Sequence, residues 1–354
     1  MTALFHLDYS TTTDMQNPHA IDEPRLAAYL AAHVPGLKGP IRLQMLTGGQ
    51  SNPTYRLSAA SGDYVLRSKP PGALLPSAHA VDREFRVIKA LAGSAVPVAT
   101  AHHLCKDTSV IGSMFYLMSF EDGRVFWDAA LPEVPRAQRP DYYDAINAAL
   151  AALHTVDVAA VGLADFGKPG NYFERQIKRW QQQYRASETE TIPSMEQLMV
   201  WLPDHLPPDD GRVSLIHGDF RLDNMIFHPR EPRILALLDW ELATLGHPLA
   251  DLAYYCMWLR LPALGRPTGL AGKDAAALNI PSEQQLLERY HRRTGIDGSA
   301  HWPFYLAFSF FKMAAILQGI LARAQQGSTT NHSALTVGRM AGSLSQRALE
   351  LLDR

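Results

Sequence analysis

The sequence predicts an α+β fold, with a small N-terminal lobe built on an antiparallel sheet plus one helix and a larger, mostly helical C-terminal lobe. Three observations carry that expectation. Short β-like runs crowd the first third, at 41–46, 54–58, 64–69, 98–104 and 114–120, with one helical stretch at 80–92 among them. After Gly123 the periodicity turns helical, at 141–154, 171–186, 194–202, 247–260, 283–293, 302–324 and 332–352. The clear β signal of that second half lies around 213–239. Strands with one helix, then helices around a small hairpin, read as segregated α+β layers rather than alternating βα units.

Length and composition set the outer bounds. The 354 residues suffice for about two domains. With 47% hydrophobic and 19% charged residues the chain can bury a substantial core. A net charge of −2 argues against a dedicated nucleic-acid binder or a binder of anionic membranes. The two cysteines, Cys105 and Cys256, form neither a disulfide framework nor a zinc spacing, so a reduced, cytoplasmic setting is expected. The first residues lack a basic start and a long apolar stretch, unlike a secretory signal. The most apolar segment, 304–324, is interrupted by Lys312, Gln318 and Arg323 and reads as a buried core helix rather than a membrane span. Residues 1–20 read as a polar tail, 21–120 as the smaller lobe and 121–354 as the larger, with the boundary near 119–123. There is no internal repeat.

Asp22 can cap a short helix running to about residue 32. The three strands that follow are separated by Gly-rich or polar turns, as in a meander. On the third, period two places Val65, Arg67 and Lys69 on one face. In the helix at 80–92, Val81, Phe85, Ile88 and Ala92 recur at spacings of 4, 3 and 4, one apolar face, and Glu84 falls inside it. A carboxylate on a buried stripe needs a cation partner. Arg67 on the preceding strand is the candidate; the alternative is that Glu84 sits at the edge of the stripe and reaches water.

In the second half, 225–227 and 234–238 are short apolar runs around the proline-containing turn His-Pro-Arg-Glu-Pro-Arg at 228–233. Asn224 opens the first arm and Asp239 closes the second. Within one residue of register they are cross-strand neighbours, about 5 Å apart. Asp219 lies on the loop entering the hairpin. Two carboxylates and an amide oxygen thus converge, a hard-oxygen set that suits Mg²⁺ together with substrate phosphates. Each aspartate alone is equally a turn cap.

The run His217-Gly218-Asp219-Phe220-Arg221-Leu222-Asp223-Asn224, followed by Leu238-Asp239-Trp240-Glu241, resembles the catalytic and metal loops of the aminoglycoside phosphotransferase-like small-molecule kinases, distant relatives of the protein kinases. The Asp-to-Asn spacing is that of the kinase catalytic loop. The resemblance implies a protein kinase-like two-lobe fold and transfer of the ATP γ-phosphate to a hydroxyl. Asp219 would orient the acceptor hydroxyl, Asn224 and Asp239 would hold Mg²⁺, and His217 would brace the loop. Arg221 would offset charge on the moving phosphoryl group. Asp251, twelve positions after Asp239, matches a position that braces the catalytic loop, although helix capping serves it equally.

An ATP site then belongs in the smaller lobe. Thr47-Gly48-Gly49-Gln50-Ser51-Asn52 lies between two strands, and its backbone can cradle phosphate. It departs from both the Gly-x-Gly-x-x-Gly and the P-loop patterns, and Gly-Gly is also an ordinary hairpin turn. Val65 would cover adenine. Arg67 would reach the phosphates, with Lys69 in reserve, and with Glu84 would form the Lys–Glu pair of kinases with arginine substituted. Met118, Ser119 and Glu121 fall where a hinge would bond adenine.

No long activation loop or Ala-Pro-Glu element follows Asp239, which points to a small-molecule acceptor rather than a protein. Three further stretches, at 123–132, 165–184 and 310–323, resemble the phosphotransferases that also occur fused to acyl-CoA dehydrogenases. Arg175, Lys178, Arg179 and Trp180 on one helix form a basic cluster that suits an anionic acceptor such as a hydroxy acid or hydroxyacyl-CoA, unless they are a solvated face. Glu241 is a further acceptor candidate, and an aminoglycoside or other amino alcohol is the alternative acceptor. Two rival readings are a metal-dependent hydrolase using His217, Asp219, Asp239 and His247, and a nucleotide-binding module without catalysis.

Overall fold

The structure is a computed structural model that describes residues 21–46, 52–70, 80–262, 267–326 and 334–353. The smaller lobe begins with α1 (Glu23–His33), whose start is fixed by Asp22 accepting from the Arg25 amide at 3.0 Å. Strands β1 (Arg42–Met45), β2 (Thr54–Ala59) and β3 (Gly62–Ser68) form an antiparallel meander. Then come α2 (Val81–Ala90), β4 (Ala101–Cys105) and β5 (Phe115–Ser119). The sheet order is β1-β2-β3-β5-β4. Alternation sorts its two faces. Leu57, Leu66, Phe115 and Leu117 pack with Leu26 and Leu30 of α1. Val65, Tyr116 and Met118 pack with Val81, Phe85 and Ile88 of α2, in a core continuous with the larger lobe.

The larger lobe holds α3 (Arg139–His154), α4 (Tyr172–Ala186), α5 (Pro193–Asp204), β6 (Ser214–Ile216), β7 (Met225–Phe227), β8 (Ile234–Leu237), β9 (Thr244–Gly246), α6 (Leu249–Leu259), α7 (Glu283–Thr294), α8 (Trp302–Gln325), α9 (Ala334–Gly338) and α10 (Ala341–Leu352). The stretch Ser299–Gln325 is long and apolar enough to cross a membrane by length and composition, yet 94% of its apolar window is buried within the protein. Its partners are α4, α6, α9 and α10, so α8 is the core helix the interrupted apolar run predicts.

One expectation changes. The helix read at 332–352 is two, because the chain turns at Arg339–Met340; Gly338 packs so closely on α8 that a Cβ there would lie 2.7 Å from that of Leu321. β6 pairs with β9, a three-residue strand too short to show in the sequence pattern. In the hairpin, which carries a bulge between Ile226 and Phe227, Leu238 lies opposite Asn224 and donates to its carbonyl at 2.9 Å, so Asp239 falls one residue on, within the register expected.

Candidate active site

The loop after β6 is held from below. The Asp251 carboxylate, one turn into α6, accepts from the backbone amides of His217 (2.6 Å) and Gly218 (2.9 Å), and from His154 Nε2 at 3.3 Å. Burial alone would raise its pKa; the hydrogen bond and charge of His154 and the His217 amide hold it below the usual carboxylate range instead. His217 donates from Nε2 to the Leu238 carbonyl (2.8 Å) and accepts at Nδ1 from the Asp219 amide (3.2 Å). One ring thereby ties the loop to the hairpin. Gly218 is required here: its φ is +82°, and a Cβ would lie 2.6 Å from the Leu242 carbonyl oxygen.

Asp219 is 1% exposed and fully engaged. Tyr254 donates to Oδ1 at 2.8 Å, and Asn224 Nδ2 donates to Oδ2 at 3.0 Å and to the main-chain oxygen at 2.9 Å. With its amide nitrogen so committed, Asn224 has its oxygen left for a cation. Arg221 is buried too. Its Nε lies 3.3 Å from Asp219 Oδ2, its Nη2 3.1 Å from Asp223 Oδ2, and its guanidinium 5.1 Å from the centroid of the Trp258 ring. Burial disfavours its charge, but Asp219 and Asp223 raise its pKa on balance. Burial pushes the Asp223 carboxyl up to about 6, against the pull of Arg221.

From the smaller lobe, Arg67 crosses the cleft. Its Nε pairs with Glu84 Oε2 at 2.9 Å and its Nη2 with Asp239 Oδ1 at 2.8 Å. Glu84 also accepts from Asn52 Nδ2 (2.9 Å) and the Tyr116 hydroxyl (3.1 Å). The carboxylate on the α2 stripe thus has the partner its burial demands, and Arg67, rather than Lys69, supplies it. Asp239 has φ +63°, a left-handed turn that aims its side chain back at the cleft. Two positions on, Glu241 Oε1 is buried with no hydrogen-bond partner among the described residues, and burial, then the charge of Asp239, pushes its carboxyl up to about 8. Arg67 thus faces the carboxyl groups of Glu84, Asp239 and Glu241, and burial favours the protonated form at Glu84 and Glu241. The oxygens of Asn224 and Asp239 are hard donors of the kind that could hold Mg²⁺.

The remaining candidates divide. Val65 and Met118 are paired across β3 and β5 and face α2. Gly48, Gly49 and Ser51 lie outside the described residues. Ser119 does not offer a free hinge amide: its N–H donates to Thr100 O, and its hydroxyl accepts from the Thr100 amide and donates to Glu121, because β5 is an interior strand. Arg175 leaves the acceptor set, since its guanidinium closes the loop before α4 by donating to the carbonyls of Lys168 (2.6 Å) and Pro169 (3.3 Å). Lys178 pairs with Glu174 on the surface. Glu241 faces Asp239 and Arg67 rather than the helix that carries Trp180. Trp180 is buried, with Arg179 5.8 Å from its ring centroid.

His247 is no metal partner of Asp219. Its Nε2 lies 3.4 Å from Asp210, and it lines a cavity of about 120 Å³ with Tyr172, Phe173 and Tyr305 that includes none of the candidate residues. Among the described residues no three His, Cys, Asp or Glu are grouped to hold a metal, which removes the support for a di-metal hydrolase. Three functional neighbours escaped the sequence reading: Asp223, Tyr254 and Lys312. The Asp-x-Arg-x-Asp alternation at 219–223 and the i, i+3 spacing of Asp251 and Tyr254 on α6 were signals for the first two. Lys312 was visible only as an interruption of an apolar helix.

Comparisons with known proteins bear on the family and the fold. The profile of the phosphotransferase enzyme family matches residues 42–290. The chain is 44% identical over 351 residues to acyl-CoA dehydrogenase family member 10 of Mus musculus, covering 99% of this chain and 33% of that protein. It is 43% identical to acyl-CoA dehydrogenase family member 11 of Gallus gallus, covering 97% and 45%. The chain thus spans less than half the length of these relatives. Among solved structures, a protein from Ralstonia eutropha, provisionally named an aminoglycoside phosphotransferase, shares 48% identity at a TM-score of 0.87, covering 94% of this chain and 99% of that one. The aminoglycoside phosphotransferase APH(4)-Ia, solved with ADP and hygromycin B, shares the fold at 14% identity and a TM-score of 0.60, covering 92% and 97%. The chain belongs to the phosphotransferase enzyme family, with the kinase-like two-lobe fold.

Proposed function

We propose that this phosphotransferase moves the γ-phosphate of ATP, with Mg²⁺, to a hydroxyl of a small molecule. The observation that carries the reading is the meeting of Arg67 with Asp239 at 2.8 Å, across the cleft from an Asp219 whose carboxylate is held on both oxygens. Phosphoryl transfer asks for positioning and charge neutralisation more than for covalent chemistry.

Asp219 orients the acceptor hydroxyl and takes its proton as the oxygen bonds to phosphorus and the bond to the ADP oxygen breaks. Tyr254, Asn224 and Arg221 fix the direction of that carboxylate, so Arg221 acts on the transfer mainly through Asp219. Arg67 holds the nucleotide phosphates, kept in place by Glu84. Val65 and Met118 form the apolar bed for adenine. Mg²⁺, held by Asn224 and Asp239, would supply neutralisation of the phosphate charge. The solved relatives of this fold that contain ADP or AMP-PNP support a nucleotide in the cleft.

For the acceptor, the alignment of nearly all of this chain with part of proteins named acyl-CoA dehydrogenase family members favours an anionic hydroxy acid or hydroxyacyl-CoA. The name of the 48% identical structure keeps aminoglycosides as the alternative. An ADP-release screen with Mg²⁺ across hydroxy acids, their CoA thioesters, amino sugars and choline-like alcohols decides between them. In the same assay Asp219→Asn abolishes turnover, while calorimetry shows MgATP binding retained. Undiminished turnover in that variant would sink the assignment.

A further inference from the structure

Beside Asp219 the interior carries more hydrogen-bond donors than it can satisfy. Lys312 on α8 is 8% exposed, and its Nζ donates to the Gly218 carbonyl at 2.6 Å. Nζ also lies 4.5 Å from the centroid of the Tyr254 ring and 5.9 Å from that of Trp180. An ammonium has three protons to place, and Gly218 takes one. Trp180 is 6% exposed, and its indole Nε1 is buried with no hydrogen-bond partner among the described residues. Burial disfavours the Lys312 charge, Asp219 and Asp251 favour it, and Arg179, which stands at the Trp180 ring, opposes it. A buried unpaired donor is costly. Bracing one carbonyl beside these carboxylates explains the Lys312–Gly218 bond, but not the orphaned indole.

We propose that Lys312 and Trp180 are the acceptor-selecting residues of this site, the ammonium and the indole N–H together receiving an acidic group of the acceptor, carboxylate or phosphate, while its hydroxyl lies at Asp219. This rests on the kinase reading above. The geometry limits the acceptor's length. The carbonyl that Nζ touches is the one bonded to the Asp219 nitrogen, so acid and hydroxyl are a few carbons apart. A polycationic acceptor would meet two cations at the same place and is disfavoured.

The test uses hydroxyhexanoates with the hydroxyl at carbons 2 to 6, and the matching hexanediols as neutral controls, in an ADP-release assay with MgATP. Wild type should prefer at least one acid over its diol by about tenfold or more in kcat/KM, the size of one charge-assisted hydrogen bond. Lys312→Met should raise KM for that acid by about tenfold or more relative to any change in the diol's KM; Lys312→Arg should keep the preference. Trp180→Phe, which removes only the N–H donor, should shift the acid in the same direction by a few-fold. Equal losses of kcat on acid and diol in Lys312→Met would make Lys312 a loop brace only, and an unchanged acid preference in both variants would likewise overturn the proposal. Calorimetric titration of hexanoate and of inorganic phosphate into the MgADP-bound protein gives a readout independent of turnover. Wild type should bind one of them, and Lys312→Met should bind it about tenfold more weakly; the tighter probe identifies carboxylate or phosphate. Binding of neither overturns the proposal even where MgADP binds and neutral alcohols turn over. Loss of MgADP binding with hexanoate binding intact sinks the kinase reading instead.

Discussion

Arg67→Met tests whether the ion-pair bridge across the cleft holds the lobes together. In the wild type the guanidinium, 7% exposed, spans Glu84 at 2.9 Å and Asp239 at 2.8 Å, whose side chains are 1% and 9% exposed. Methionine keeps most of the stem and removes the ion pair to Glu84 and the charged hydrogen bond to Asp239. A charged hydrogen bond is worth about 1.5–3 kcal/mol, and removing one partner of a buried pair typically costs about 3–5 kcal/mol because a charge is left stranded. Glu84 keeps its bonds from Asn52 and Tyr116 and can take up a proton, so the two losses do not simply add. The expected destabilisation is therefore about 3–5 kcal/mol. With an unfolding entropy near 2.1 cal/mol/K per residue, that lowers Tm by roughly 4–7 °C for 354 residues.

The pH dependence gives the sharper check. Burial already raises the Glu84 pKa against the opposing charge of Arg67, and losing Arg67 raises it further. A carboxyl whose folded pKa lies above its unfolded value of about 4.5 contributes stability that is present below that value and lost as pH rises through the folded one. The deficit of Arg67→Met should thus be smallest near pH 5 and grow toward pH 8. Urea denaturation of both proteins across that range measures it. A deficit below about 1 kcal/mol, or one that shrinks as pH rises, would refute the claim that Arg67 neutralises buried carboxylates.

Gly218→Ala should cost about 2–5 kcal/mol in urea denaturation, from the left-handed backbone plus a Cβ placed 2.6 Å from the Leu242 carbonyl oxygen. Gly36→Ala, with a similar φ of +87° and nothing within 4 Å of the added carbon, should cost only about 1 kcal/mol, and equal losses would show that the close approach is immaterial. Asp251→Asn leaves at least one of the His217 and Gly218 amides without its acceptor and should destabilise by about 1–3 kcal/mol near neutral pH. Because the folded pKa of Asp251 is depressed, its contribution is present above the unfolded value of 3.8 and lost as pH falls through the folded one, so the gap between wild type and variant should close in acid. A gap that widens below pH 4 in chemical denaturation would contradict this.

What the sequence made legible follows from the range of each interaction. The stripe that buries Glu84 is local, set by helix periodicity, and burial of a carboxylate already demands a cation; that logic reached Arg67 across only a strand and a helix. The hairpin pairing lies within one residue of the 224/239 pairing, while the bulge between Ile226 and Phe227 is invisible to an alternation pattern. Asp223 was passed over because its meaning depends on Arg221 being buried, a tertiary fact. The basic cluster at 175–180 is divided because charges along one helix diverge: of its three charges, Arg175 closes a loop carbonyl pair and Lys178 a surface ion pair, while Arg179 stays beside Trp180. Lys312 was the hardest to place. Its partner is a backbone carbonyl 94 residues earlier, and no side-chain pattern encodes that.

The choice of arginine at position 67 has a geometric reason. A guanidinium spreads its charge over separate nitrogens, so Nε can pair with a helix carboxylate on one side while Nη2 donates to a hairpin carboxylate on the other. A lysine ammonium concentrates its charge on one atom and would have to favour one of the two. With arginine, the strand that carries Val65, the helix that carries Glu84 and the turn that carries Asp239 are fixed relative to one another. That bridge aligns the cleft, and burial beside it raises the pKa of both Glu84 and Glu241. The hard oxygens of Asn224 and Asp239 are where a divalent cation would be held. The same arrangement that orders the lobes leaves Asp239 close to Asn224, where the proposed Mg²⁺ would be held, while Lys312 reaches the Asp219 loop through the Gly218 carbonyl.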